Sequence, residues 1–117
     1  NMTAKEYLEQ IENIDIRIKA LEMQKRRLKN KGSSEKETQM LEQDIEQLRN
    51  DFTNLQRKIT KEIHSIKNNV YASILSAKHL SGATWEEIAL MLGYKDEKYV
   101  RTALYRKALK EFSKLPR

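Results

Sequence analysis

Apolar positions fall along this chain in two rhythms. Tyr7, Ile11, Ile14, Ile18, Leu21 and Leu28 alternate steps of four and three residues, with Lys25 standing where one member of the series is due. That spacing is a coiled-coil seam, because it keeps one narrow stripe facing a partner helix over many turns. Thr3 and Glu6 fit a capping box, so the spacing predicts a helix from there to about Lys29, ~40 Å long at the standard rise. Lys31-Gly32-Ser33-Ser34 then breaks it: Gly32 suits the left-handed conformation that ends helices, and Ser34 with Glu37 opens a second capping box. Leu41, Ile45, Leu48, Phe52, Leu55 and Ile59 repeat the seam. A loop this short makes the two helices antiparallel neighbours.

Past Ile59 the rhythm slows. Ile63, Ile66, Val70 and Ile74 follow at longer mean spacing, and Tyr71 with Leu75 widens the apolar face. A wider stripe at a period above 3.5 belongs to a helix in a compact core. The boundary is expected near residues 60–66, with a helix able to run through it. This divides the chain into a helical hairpin over 1–62 and a second domain over 63–117.

The second domain carries the most informative stretch, Leu80 to Tyr94. Gly82 ends one helix, Thr84 and Glu87 form a third capping box, and Ile88, Ala89 and Leu92 supply the buried face of a short helix. Gly93 permits a tight turn, and a basic helix is expected from about Asp96 to Leu115. A short capped helix, a glycine turn and a basic helix spell a helix-turn-helix, whose second helix lies in the DNA major groove. The fold class expected is therefore all-α: an N-terminal antiparallel coiled-coil hairpin followed by a helix-turn-helix domain.

Composition narrows the function. The 117 residues include no cysteine, one proline and three glycines. Disulfide scaffolds, thiol catalysis and Cys-ligated zinc are excluded. Leu, Ile, Val and Phe make up about 23% of the chain and the mean hydropathy is −0.82, so apolar residues must be placed economically, as long amphipathic helices do. The longest apolar run, Ile88 to Leu92, is far short of a membrane span. The opening residues lack the pattern of a secretory leader, and Asn1 before Met2 reads as an addition ahead of the native start. The net charge of +6 is unevenly placed: +1 on residues 1–60 and +5 on residues 61–117. An anionic partner is expected for the second half.

Thr84-Trp85-Glu86-Glu87-Ile88-Ala89, Leu92-Gly93-Tyr94, Val100-Arg101 and Arg106-Lys107-Ala108-Leu109 together resemble region 4 of sigma-70-type factors. They are closer still to the small sigma-region-4-like regulators of Gram-positive phages and prophages, including the ArpU- and RinA-type late-gene activators. The resemblance covers roughly residues 66–113, and two extra residues separate the Gly93 turn from Arg106 relative to the usual sigma spacing. It implies a sigma-region-4-like helix-turn-helix, a function in transcription, an origin in a phage or mobile element, and residence in the cytoplasm of a bacterial host.

Helical geometry puts Lys98, Arg101, Thr102 and Tyr105 on one face toward DNA, with Lys95 just ahead of them. Arg106, Lys107 and Lys110 are expected on phosphates, which position a protein without reading sequence. Val100, Ala103, Leu104 and Ala108 are expected to face the core. Trp85, in the first turn of a capped helix, is read as a plug over a small core in preference to a platform for a base. His64 and His79 have no carboxylate or thiol cluster near them, so no metal site is expected. The run Lys25-Arg26-Arg27, Lys29 and Lys31 is read as cations at a helix C-terminus in preference to a second nucleic-acid patch. Ile16 and Met23 lie opposite the seam, where a lone hairpin would leave them in water. They are expected to pack on another protomer, or on a partner such as RNA polymerase.

The function expected is a sequence-specific, double-stranded-DNA-binding transcriptional regulator, an activator of phage or mobile-element late or packaging genes that acts as a homo-oligomer. One alternative is a sigma-like adaptor that contacts RNA polymerase and binds DNA weakly; another is an RNA-binding helical arm. No catalytic residues, cofactor or small-molecule substrate are expected, since no nucleophile, carboxylate pair or phosphate loop appears.

Overall fold

The computed structural model describes residues 1–32 and 34–116, all helices and turns, with no strand among them. Helix α1 spans Ala4–Asn30 and α2 spans Glu35–His64. The box that starts α1 is complete: the Thr3 amide donates to Glu6 Oε1 at 2.9 Å, and the Glu6 amide donates to Thr3 Oγ1 at 3.1 Å. Gly32 adopts φ 71° after α1, and the Glu37 amide reaches Ser34 Oγ at 3.3 Å. Ser33, part of the expected break, lies outside the described residues.

The two long helices pack together with their partners ascending along α1 and descending along α2. Glu22 meets Arg49 at 2.9 Å, Lys25 meets Glu42 at 3.8 Å, and the Tyr7 hydroxyl donates to Glu62 at 2.7 Å. Lys25 thus fills its place in the seam half-buried, with its charge answered across the pair. Ile11, Ile18, Ile45 and Ile59 are buried, while Ile14, Leu21, Leu28, Leu41, Leu48 and Leu55 are only half-buried.

The helix does not run through the boundary: α2 ends at His64. Residues 65–67 form a turn, and α3 begins afresh at Asn69–Leu75 with the Asn68 carboxamide accepting from the Tyr71 amide at 3.1 Å. The stripe Ile63, Ile66, Val70, Ile74 crosses this break. Ile63, Ile66 and Ile74 are buried, but Val70 is exposed. α3 runs on into a π-helical segment, Ser76–Leu80, before Gly82 turns the chain at φ 68°. Helix α4 spans Trp85–Leu92, and Gly93 ends it at φ 84°, a left-handed geometry that a side chain would strain. The expected basic helix is one helix in three parts: α5 at Glu97–Tyr99, a π segment at Val100–Leu104, and α6 at Tyr105–Ser113.

The chain forms two compact units. One is residues 10–55. The other joins residues 1–9 to residues 56–117. The first nine residues, placed with the hairpin by their seam, therefore belong with the C-terminal body. The cause is a second packing surface at the start of α1. Leu8, outside the expected seam, is fully buried, and the Tyr7 ring lies 5.9 Å from the fully buried Phe112 of α6. Within this unit α3 packs on α6, α4 packs on α5 and both π segments, and Ile74, Leu75, Ile88, Val100 and Ala108 join Phe112 in the core.

Candidate nucleic-acid interface

Two caps set the geometry of the basic face. The Thr84 hydroxyl accepts from the Glu87 amide at 3.1 Å, and Glu87 Oε1 accepts from the Thr84 amide at 2.8 Å. These bonds, the backbone amide's foremost, hold the Glu87 carboxyl below the usual carboxylate range. Asp96 caps α5, its Oδ1 accepting from the Lys98 amide at 2.9 Å. Between the caps, the Gly93 turn carries Tyr94 and Lys95 into solvent.

Of the residues expected on DNA, Lys95, Lys98, Arg101, Thr102, Arg106, Lys107 and Lys110 are exposed. Arg101 is already engaged within its helix: its Nε lies 3.0 Å from Glu97 Oε2, and this bond with the carboxylate's charge raises its pKa further. The Thr102 hydroxyl donates back to the Lys98 carbonyl at 2.7 Å.

Tyr105 is a correction. It is 8% exposed, with its hydroxyl 2.8 Å from Nε2 of the buried His79 and its ring edge-on to Trp85 at 4.8 Å. The π segment is the reason. Its i→i+5 bonding puts one more residue into the turn than an α-helix holds, so the inward face at this turn takes in Tyr105 beside Leu104. Ala108 is buried as expected, and Phe112 lies in the core with it. Val100 and Leu104 are buried as expected, and Ala103 is half-buried.

Trp85 is half-buried against Tyr105, the arrangement of a plug, and Lys78 Nζ lies 4.9 Å from its ring centroid. Around this ring a cleft of about 520 Å³ opens, bringing Arg101, Thr102 and Arg106 together with Lys5, Glu9, Lys78 and Leu109. Lys5 and Lys78 are the cleft cations that no sequence motif marks. Lys5 stands in the first turn of α1, far along the chain from Lys78, Trp85 and the α5–α6 residues of the cleft, and no local pattern links it to them. Lys95 instead lines a separate hollow with Glu86, Leu90 and Tyr94.

Ile16 and Met23 are each 62% exposed on α1, and Leu90 is 81% exposed on α4. His64 is exposed at the end of α2, and the described residues contain no group of three metal-ligating side chains. No helix is long and apolar enough to cross a membrane. Compared with known protein families, with curated proteins and with solved structures, the chain finds no match.

Proposed function

We propose that this protein is a sequence-specific regulator of transcription that binds duplex DNA through a helix-turn-helix made of α4, the Gly93 turn and the α5–α6 helix. The observation that carries the reading is the exposed face of that helix. Lys98, Arg101, Thr102 and Arg106 stand clear of a core that anchors the same helix through Val100, Leu104, Ala108 and Phe112. Arginine at such a position suits a guanine edge, and the flanking lysines suit phosphates. The sigma-region-4-like order of Thr84-Trp85-Glu86-Glu87-Ile88-Ala89 and Leu92-Gly93-Tyr94 supports a role in transcription and, with it, activation of phage or mobile-element genes. Ile16 and Met23 supply an apolar contact for a second protomer, which would repeat the reading helix on paired half-sites.

Selection of binding sequences from random duplexes tests this. One motif should emerge, and Arg101→Ala should lower affinity for it by about 5- to 150-fold while lowering affinity for random duplex much less. Enrichment of no motif sinks sequence-specific binding. A second reading, an adaptor that docks on RNA polymerase, is favoured by the exposed Leu90 and Met91 on α4. It predicts polymerase capture that Leu90→Ser abolishes, with no selected motif.

A further inference from the structure

The cleft over Trp85 draws on four separate parts of the chain: the first two turns of α1, the π segment after α3, Trp85 of α4, and the α5–α6 helix. All its lining residues belong to one compact unit. Lys5, Lys78, Arg101 and Arg106 face one carboxylate, Glu9. Arg101 is partly answered by Glu97. Lys5, Lys78 and Arg106 form no ion pair with a described carboxylate, although lysines of the arm such as Lys19, Lys25 and Lys29 do. Like charges gathered in one concavity repel one another and concentrate the field on whatever enters it. The surrounding chemistry leaves an anion as the partner that relieves this. Trp85 narrows the class further. Its ring is held edge-on by Tyr105 and covered by Lys78, so it serves as a wall and a lysine support in place of a stacking platform for a base.

We propose that this cleft holds backbone phosphates of duplex DNA, with Lys5 and Lys78 as the contacts that clamp the strand beside the reading helix. The assignment rests on the DNA-binding reading above, because Arg101, Thr102 and Arg106 line both surfaces. It extends that reading to α1, whose seam otherwise suggests a purely structural or oligomerising helix. Lysines are suited to the task as mobile point charges that hold a phosphate without discriminating bases. Glu9 then acts as a brake on affinity, placed where it repels the same phosphates.

The protein contains a single tryptophan, so its fluorescence reports on this cleft directly. A 20-base-pair duplex titrated against the full chain from 50 to 200 mM salt should change Trp85 emission saturably and yield a salt slope. Lys5→Ala and Lys78→Ala should each reduce that slope by about one, and Lys5→Arg should restore it. Lys36→Ala, an exposed lysine of α2 outside the cleft, should leave it unchanged. Glu9→Gln should act in the opposite direction and tighten binding by about two- to fivefold. Neither lysine variant should alter the selected motif. Unchanged slopes beside an intact motif overturn the clamp and spare the regulator. Reduced slopes without any motif support the clamp and sink sequence-specific regulation. Absence of duplex binding at 50 mM salt overturns both, and an emission change with inorganic phosphate but not with duplex reassigns the cleft to a free anion, which also overturns the proposal.

Discussion

The arm over residues 10–55 and the unit that joins residues 1–9 to 56–117 are built from the same kinds of helix, yet they spend their side chains differently. The arm carries nine basic and nine acidic residues, so the entire net charge of +6 sits on the other unit. The arm buries Ile11, Ile18 and Ile45 along a narrow line and leaves the rest of its seam half in water. The other unit closes a core with Phe112, Ile74, Leu75, Ile88 and Val100 at no exposure. A seam needs only a partner helix, whereas a core of crossing helices must be filled on several sides. Charge can accumulate on the second unit because its core holds the shape against self-repulsion, and a neutral arm carries no such burden.

The sharpest way to break this contrast is to truncate one side chain in each unit. Phe112→Ala should destabilise by about 3–5 kcal/mol, while Leu48→Ala in the arm should cost about 1–2 kcal/mol. Urea melts followed by Trp85 emission and by far-ultraviolet circular dichroism measure both. Trp85 reports only on its own unit, so separated midpoints would show that the units unfold independently. Equal costs for the two substitutions would mean the seam is packed as tightly as the core.

A smaller effect is expected from Tyr105→Phe. It deletes the hydroxyl that meets His79 between the two π segments and should cost about 1–3 kcal/mol in the same melts. A neutral result would show that the pairing adds nothing to the core beside it. Smaller again is Thr84→Ala, which removes the α4 cap for about 1 kcal/mol and leaves the arm untouched.

The least effect, and the one with opposite signs in the two units, is that of pH. Glu6 and Glu87 are held below the usual carboxylate range, first by the amides of Thr3 and Thr84 and then by their hydroxyls. A depressed carboxyl favours the folded state fully above its unfolded pKa, and that contribution fades as pH falls through the folded value. In the arm, Lys19 is raised by its hydrogen bond to Asp15 and then by that carboxylate's charge. Its contribution is complete below the unfolded lysine pKa and is lost as pH rises through the folded one. Acid should therefore loosen the capped unit and alkali the arm, both slightly, since these groups are exposed. Acid melts of Thr84→Ala should show a shallower pH dependence than those of the parent protein.

What was legible in the residues follows from the kind of signal each feature leaves. Caps are local, so Thr3 with Glu6, Thr84 with Glu87, and Gly93 announced α1, α4 and the turn after α4. The seam was legible because four- and three-residue steps persist from Tyr7 to Ile59. The break at residues 65–67 was hidden because Ile66, in the turn, keeps the spacing of a helical stripe by coincidence of position. The signal that marked it was Asn68, a capping residue inside an apolar run. The π segments were illegible, since a single widened turn has no period to detect. That is why the face holding Lys98, Arg101 and Thr102 was found while Tyr105 was misplaced on it. Lys5 is beyond reach, because only the folded chain brings α1 beside α6.

The split composition of the charged unit also orders events in time. Tyr7 is made before Phe112, the residue it meets, by roughly 5–20 s at ordinary rates of synthesis. Meanwhile Leu8 has no core to enter. The intervening arm can zip by itself, since each pairing along α1 and α2 follows from the one nearer the loop, and such stepwise local contacts form quickly. Zipping shortens the loop that the later-made helices must close. Pairing of α1 with α2 thus shortens the search by which Tyr7 and Leu8 reach the later-made Phe112.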